Sequence, residues 1–135
     1  MTKRFKEPGK PKLSETEREI MQIIWREDHP LTSTFILDQI TSRSWTLSTV
    51  MTFLARLCEK GFVHCDRSTR TNYYTAIISG AAYRERESRD FLEKIHNNSF
   101  TSMISALNNS GAISEDELME LREFLDENLG REGRE

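Results

Sequence analysis

The segment from Trp45 to Gly61 places small hydroxyl side chains along one side of a predicted helix. At about 100° per residue, one stripe of this helix is apolar and the opposite face is polar and small. Serine and threonine hydroxyls can bond to several bases, and a threonine methyl can pack on a thymine methyl. The pattern therefore predicts a helix that reads bases in a major groove. The apolar stripe is Val50, Phe53, Leu54 and Leu57, and the candidate DNA contacts are Thr46, Ser48, Thr49, Thr52 and Arg56.

A basic hairpin is predicted directly after this helix. The stretches 62–65 and 72–76 are rich in aromatic and β-branched residues, and the polar stretch 66–71 between them carries Arg67 and Arg70. Such a pattern is typical of a β-hairpin. Three helices followed by a hairpin is the order of a winged helix-turn-helix, in which the third helix enters the major groove and the hairpin forms the wing. Arg67 and Arg70 are therefore further candidate DNA contacts.

Local end signals define the first two helices. Ser14 and Glu17 form a capping box, because each can accept a hydrogen bond from the backbone amide of the other. The helix that they open is predicted to end near Glu27, shortly before a proline. Thr32 or Ser33 can cap a second, shorter helix that ends near residues 43–44.

The third helix has the strongest end signals. Thr46 is a suitable N-cap, and Trp45 and Val50 occupy the two positions of a hydrophobic staple around it. Gly61 stands where a left-handed residue ends a helix, and Phe62 can pack back on the last turn as in a Schellman motif. We therefore predict a helix that spans the whole segment between Thr46 and Gly61.

The second half of the chain is predicted to be helical and to form a homodimer. One helix spans about 81–97, a short one follows at about 100–107, and Ser114 opens a third with a second capping box. Three amphipathic helices are too few to enclose a core alone, and a symmetric partner is the usual solution. The predicted interface is Phe91, Ile95, Phe100, Met103, Ile104, Leu107, Leu118, Leu121 and Leu125.

Together these signals predict a mainly α fold with a small β-hairpin wing, in four segments. They are a flexible basic arm (1–12), a winged helix-turn-helix DNA-binding domain (13–79), a helical dimerisation domain (80–128) and a flexible tail (129–135). The net charge is +3 over residues 1–79 and −6 over the remainder. A polyanionic partner is therefore expected for the first half only.

Other classes of function have weaker support in the sequence. No apolar run approaches the roughly 18 residues of a membrane span, and no signal peptide is evident, so a cytoplasmic protein without membrane insertion is expected. Cys58, His64 and Cys65 do not have a standard zinc spacing, and no catalytic motif is present, so we expect no metal, no cofactor and no enzyme. A winged-helix regulator switched by a small molecule or a protein, and a module that binds only proteins, remain alternatives.

Two stretches, residues 13–25 and 45–62, together with the pair Tyr73-Tyr74, resemble the BlaI/MecI/CopY family of penicillinase repressors. The resemblance covers roughly residues 12–128 and is to the BlaI/MecI branch. It implies a dimeric repressor of a resistance operon, of the β-lactamase type, that binds a palindromic operator as double-stranded DNA. It also implies release through a membrane sensor-protease pathway that leads to cleavage of the repressor.

The chain departs from the family pattern at the cleavage site and in its cysteines. The best-known members are cut at an Asn-Phe bond, and the matching pair here is Ala106-Leu107. The copper-sensing branch ends in a Cys-x-Cys cluster, whereas no cysteine follows Cys65. We therefore expect cleavage at Ala106-Leu107, although this peptide bond differs from the Asn-Phe bond of the best-known members. A copper switch of the Cys-x-Cys type is not expected.

Overall fold

A computed structural model describes residues 11–133, so the predicted basic arm lies almost wholly outside the described residues. Helices α1 to α3 precede a two-stranded antiparallel hairpin, and helices α4 to α6 follow it, which confirms the predicted fold class. The contacts divide the chain into two units, one ending at Glu85 and the other beginning at Arg86. The elements are α1 (Glu15–Arg26), α2 (Ser33–Gln39), α3 (Leu47–Lys60), β1 (Val63–Asp66), β2 (Tyr73–Ala76), α4 (Gly80–His96), α5 (Phe100–Asn109) and α6 (Glu115–Gly133).

The start of α1 is joined to the end of α3 by a buried carboxylate. In the confirmed capping box, the Ser14 amide donates to Glu17 Oε1 at 2.9 Å and the Glu17 amide donates to Ser14 Oγ at 3.2 Å. Lys60 Nζ donates to the same Glu17 Oε1 at 2.7 Å and to the Lys12 carbonyl at 3.1 Å. Burial raises the pKa of Glu17, but the bonds from Lys60 and Ser14 outweigh burial and lower it overall. The position of α3 therefore depends on this ion pair.

Both predicted ends of α3 are confirmed. The Thr46 hydroxyl accepts from the Thr49 amide at 3.2 Å, as an N-cap does. Gly61 has φ of 88°, and the Phe62 amide donates to the Leu57 carbonyl at 2.9 Å, which is the longer bond of a Schellman motif. Phe62 and Leu57 are fully buried in the core of the N-terminal unit. The apolar stripe of α3 thereby fixes which face of the helix points outward.

The hairpin is widened by a third segment that the sequence did not indicate. Cys65 pairs with Tyr74 in the β1–β2 register, and Leu31 pairs with Tyr74 from the other side. The Tyr74 amide donates to the Leu31 carbonyl at 2.7 Å, and the Leu31 amide donates back at 3.0 Å. The link between α1 and α2 thus holds β2 on the side opposite β1.

The first turn of α4 packs in the N-terminal unit. Trp25 Nε1 donates to the Ile78 carbonyl at 2.8 Å. The ring of Tyr83 lies 5.5 Å from that of Trp25 and 5.7 Å from that of Phe62. A Cβ at Gly80 would lie 3.3 Å from the Trp25 ring, so a larger residue there would have to displace the indole by a few tenths of an ångström. The predicted domain boundary is at residues 79–80, and the contacts divide the chain after Glu85.

The C-terminal unit consists of the remainder of α4, with α5 and α6. Asn97 and Asn98 have φ of 51° and 65°, and the Asn98 amide donates to the Leu92 carbonyl at 2.9 Å where α4 ends. Ser99 caps α5, and Ser114 forms the predicted capping box of α6. Helix α6 continues to Gly133, so residues 129–133, which were assigned to a flexible tail, are helical. Among residues 11–133, no helix combines the length and apolar character needed to cross a membrane.

Candidate nucleic-acid interface

The outward face of α3 carries the hydroxyl residues that the sequence singled out. Ser48, Thr52 and Ala55 are exposed, and Thr49 is half-buried. Thr52 Oγ1 donates to the Ser48 carbonyl at 3.0 Å, so its oxygen lone pairs remain able to accept from a base amino group. Met51 is also exposed on this helix. The face can therefore offer hydrogen-bond acceptors and methyl groups to a groove.

Thr46 has a different role from the other hydroxyl residues. Its oxygen already accepts the Thr49 amide, and it lies 3.1 Å from Thr49 Oγ1. The side chain thus caps α3 and orients Thr49, although it is itself exposed. A contribution of Thr46 to DNA contact through this cap stays a prediction.

A stack of four side chains flanks α3, and the sequence analysis did not foresee it. The Trp45 and Phe53 rings stack with centroids 5.2 Å apart and planes at 11°. The Arg43 guanidinium lies 5.5 Å from the Trp45 ring centroid, and the Arg56 guanidinium lies 5.0 Å from the Phe53 centroid. Trp45 was expected to pack as a staple residue and Phe53 to lie in the buried stripe, but both rings are half-buried. The aromatic residues at 45 and 53 were visible in the sequence, whereas the position of Arg43 depends on the fold of the α2–α3 connection.

The Arg43 guanidinium is also held from α1. Its Nε donates to Glu19 Oε1 at 2.9 Å, and Ser42 Oγ donates to Glu19 Oε2 at 2.7 Å. These two hydrogen bonds lower the pKa of Glu19. The carboxylate is therefore ionised at neutral pH and fixes the connection between α2 and α3.

Arg67 and Arg70 both lie, exposed, in the hairpin connection, as predicted. Asp66 Oδ1 accepts from the Ser68 amide at 2.9 Å, which lowers the pKa of Asp66. Thr69 Oγ1 donates to the Thr71 carbonyl at 2.7 Å. Within residues 11–133, no ion pair engages either arginine of the tip. The wing therefore offers two guanidinium groups to an external anion.

Of the two cysteines, one lies near the end of α3 and the other on β1 of the wing. Cys58 and Cys65 are free thiols, both half-buried against the core. Burial raises the pKa of Cys58, and the neighbouring Cys65 adds to this rise. His64 is exposed on β1. In the described part of the chain, no three His, Cys, Asp or Glu side chains are grouped so that they could hold a metal ion.

The predicted interface residues of the C-terminal unit are all accessible. Six of the nine are exposed, and Met103, Ile104 and Leu121 are half-buried. Exposed apolar side chains that the prediction omitted are Met119, Phe124 and Leu129, all on α6. Leu129 falls at helical spacing with Leu118 and Leu125, which was the available signal for it, whereas Met119 and Phe124 lie off that stripe.

The predicted cleavage pair lies on α5. Ala106 and Leu107 are exposed, in the last turns of the helix. Their carbonyls accept from the amides of Ser110 at 3.2 Å and Ala112 at 3.0 Å. Gly111, with φ of 80°, follows this helix end. A protease would therefore have to unwind the end of α5 before it could bind this bond.

Comparisons with known proteins give consistent matches. A sequence model for a family described as "Penicillinase repressor" matches residues 13–127. The chain is similar to the penicillinase repressor of Bacillus licheniformis, with 30% identity over 90% of this chain and 94% of that protein. It is also similar to the methicillin resistance regulatory protein MecI of Mammaliicoccus sciuri, with 26% identity over 84% of this chain and 92% of that protein. The structure is also similar to a solution structure of monomeric Bacillus licheniformis BlaI in complex with the blaP half-operator. The two sequences are 28% identical, the match covers 54% of this chain and 89% of that one, and the TM-score is 0.45.

Proposed function

Because the chain belongs to the penicillinase repressor family, we propose that it is a DNA-binding repressor of a resistance operon, of the β-lactamase type, that acts as a homodimer. The family is one of transcriptional repressors and not of enzymes. The observation that carries the proposal is the exposed hydroxyl face of α3 together with a wing whose tip carries two exposed arginines. The names of the relatives, a penicillinase repressor and a methicillin resistance regulator, support resistance genes as the target.

The two parts of the surface have separate tasks in this proposal. Ser48, Thr49 and Thr52 contact base edges, because short hydroxyl side chains reach them only from within the groove. Arg56, Arg67 and Arg70 bind phosphates, since a guanidinium matches a phosphate with two parallel hydrogen bonds. Phosphate contacts supply affinity for any duplex, and base contacts supply the preference for one sequence.

Dimerisation supplies the remaining affinity. The exposed apolar residues of the C-terminal unit support a symmetric interface, since such a set of large side chains is costly to leave in water. A linked pair of weak half-site readers binds far more tightly than either reader alone. The operator is then an inverted repeat whose half-sites lie about 34–36 Å apart, one helical turn of DNA.

The DNA proposal is tested on duplexes selected from a random-sequence pool by repeated binding to the full-length protein. The selected duplexes should contain an inverted repeat.

Thr52→Ala should weaken binding to the selected duplexes more than to mixed-sequence DNA, by about 1–3 kcal/mol. Arg70→Ala should weaken binding to both and reduce the salt dependence by about one unit. Arg122→Ala, a charge loss on exposed α6, is the control and should leave the salt dependence unchanged. The reverse pattern for the first two variants would refute the division between base contacts and phosphate contacts.

Release from DNA is proposed to follow cleavage at Ala106-Leu107 by a protease that a membrane sensor activates. Cleavage there would separate α6, with Leu118 and Leu125, from covalent connection to the DNA-binding unit. Each half-site reader would then bind alone and weakly.

Truncation after Ala106 tests this route directly. The truncated chain should sediment as a monomer and lose tight binding to the selected inverted repeat. A truncated chain that still dimerises and binds as tightly as the full chain would leave a small molecule or a partner protein as the trigger.

A further inference from the structure

The geometry beside α3 points to a phosphate-binding role for Arg43, and we propose that the Trp45–Phe53 ring pair positions the guanidinium groups of Arg43 and Arg56 to bind the DNA backbone along one flank of α3. This inference rests on the proposed DNA-binding function. It adds to that function one contact residue, Arg43, and two positioning residues, Trp45 and Phe53.

The stack leaves the hydrogen-bonding edges of both guanidiniums accessible. The two rings stack on each other, and the guanidinium carbons of Arg43 and Arg56 lie 5.5 Å and 5.0 Å from the centroids of Trp45 and Phe53. A guanidinium that stacks on a ring still directs its N–H groups outward in its own plane. Arg56 is exposed, and the Arg43 side chain is 36% exposed. Each guanidinium can therefore bind a phosphate while it remains over its aromatic ring.

Glu19 restrains the Arg43 side chain but uses only one of its hydrogen-bond donors. Only Nε of Arg43 donates to Glu19, at 2.9 Å, and a guanidinium has five N–H donors. Ser42 holds the second carboxylate oxygen, so Glu19 cannot readily turn away. The remaining donors of Arg43 form the paired edge that fits a phosphate. Restraint by a ring and by a carboxylate also removes much of the side-chain entropy that phosphate binding would otherwise cost.

The stack is formed by residues of α3 and of the segment directly before it. Arg43 precedes the helix, and Arg56 lies in its third turn. The rings that connect them belong to the residue before the N-cap and to the helix itself, so the stack ties both cations to α3. A contact that is built into the recognition helix orients that helix on the duplex, which is the task of phosphate contacts in base-reading proteins.

A purely structural stack, which would only fasten the α2–α3 connection to α3, is the competing explanation. Four full-length variants separate the two. Arg43→Gln removes the charge, Arg43→Lys keeps the charge without the planar group, and Trp45→Leu removes the platform but keeps both charges. Arg18→Gln is the matched control, because Arg18 is an exposed arginine of α1.

The measurement is the dissociation constant for a mixed-sequence duplex over a range of salt concentrations, with thermal unfolding of each variant alongside. Mixed-sequence DNA is the probe because phosphate contacts do not depend on base sequence. Arg43→Gln should reduce the salt dependence by about one unit, and Arg18→Gln should not. Arg43→Lys and Trp45→Leu should each weaken binding about 3–10-fold, and Trp45→Phe should restore most of the Trp45→Leu loss.

Coupling between the two residues gives the decisive result. In the Trp45→Leu background, Arg43→Gln should cost clearly less affinity than in the wild type, because the guanidinium has already lost its platform. Equal costs in both backgrounds, or an unchanged salt dependence in Arg43→Gln, would overturn the inference while the wild type still binds DNA. Absence of any wild-type binding at low salt would instead overturn the proposed function. If Trp45→Leu does not fold, the Arg43→Lys variant provides the test, because it keeps the positive charge and both aromatic rings. Undiminished DNA binding by Arg43→Lys would then refute a role for the planar guanidinium.

Discussion

The ion pair between Glu17 and Lys60 should contribute more to the stability of the N-terminal unit than any exposed pair. The Glu17 side chain is 3% exposed and the Lys60 side chain 33%, with 2.7 Å between Oε1 and Nζ. Loss of one partner of a fully buried pair costs about 3–5 kcal/mol, and loss of an exposed pair about 0–1 kcal/mol. Since Lys60 is partly hydrated, we expect Lys60→Met to reduce the free energy of unfolding by an intermediate amount, about 2–3 kcal/mol.

The pH dependence of this loss follows from the pKa of Glu17. In the wild type that pKa lies below its usual value of 4.5, although burial raises it. The stabilisation by the ion pair is therefore complete above pH 4.5 and disappears as the pH falls through the folded-state pKa. In Lys60→Met, burial remains while the main opposing hydrogen bond is gone, so the pKa of Glu17 should rise. The difference in stability between wild type and variant should thus be largest at neutral pH and shrink on acidification.

Urea unfolding at fixed protein concentration, repeated over a series of pH values, measures this difference. Lys94→Met is the control, because the Lys94 side chain is 64% exposed in its ion pair with Asp90. Its loss should reduce the free energy of unfolding by less than about 0.5 kcal/mol. The reasoning is refuted if the two lysine variants lose equal stability, or if the Lys60→Met deficit does not narrow in acid.

Three further predictions concern local contacts in the same unit. Thr46→Ala should reduce the free energy of unfolding by about 1 kcal/mol through loss of the α3 N-cap, and Thr46→Ser should not, as measured by thermal unfolding. Trp25→Phe should cost about 1–2 kcal/mol, because the Ile78 carbonyl loses its indole donor; no change in urea unfolding would show that water replaces that donor. Gly61→Ala should cost about 1 kcal/mol from its left-handed φ of 88° alone, since a Cβ there meets nothing within 4 Å; a larger loss would indicate a clash that the structure does not contain.

The boundaries of α1, α3 and the hairpin were predictable because their signals act over a few residues, whereas α2, which was predicted to end near residues 43–44, ends at Gln39. The Ser14 and Ser114 capping boxes, the Thr46 cap and the Gly61 ending each join groups no more than five residues apart. Their hydrogen bonds form whenever the local backbone does, whatever surrounds them. The same local periodicity indicated which face of α3 is apolar, and hence that Ser48 and Thr52 would be exposed.

Only the tertiary structure decided which distant side chains meet. The Leu31–Tyr74 bridge, the Glu17–Lys60 pair and the contact of Trp25 with Ile78 join residues that are far apart in sequence. The stack of Arg43, Trp45, Phe53 and Arg56 is tied to a distant element in the same way, since Arg43 also donates to Glu19 of α1. Apolar periodicity determines that a helix face is buried, but many partners could cover it equally well. The choice among them is made by the packing of the whole N-terminal unit, and that packing places Arg43 beside α3.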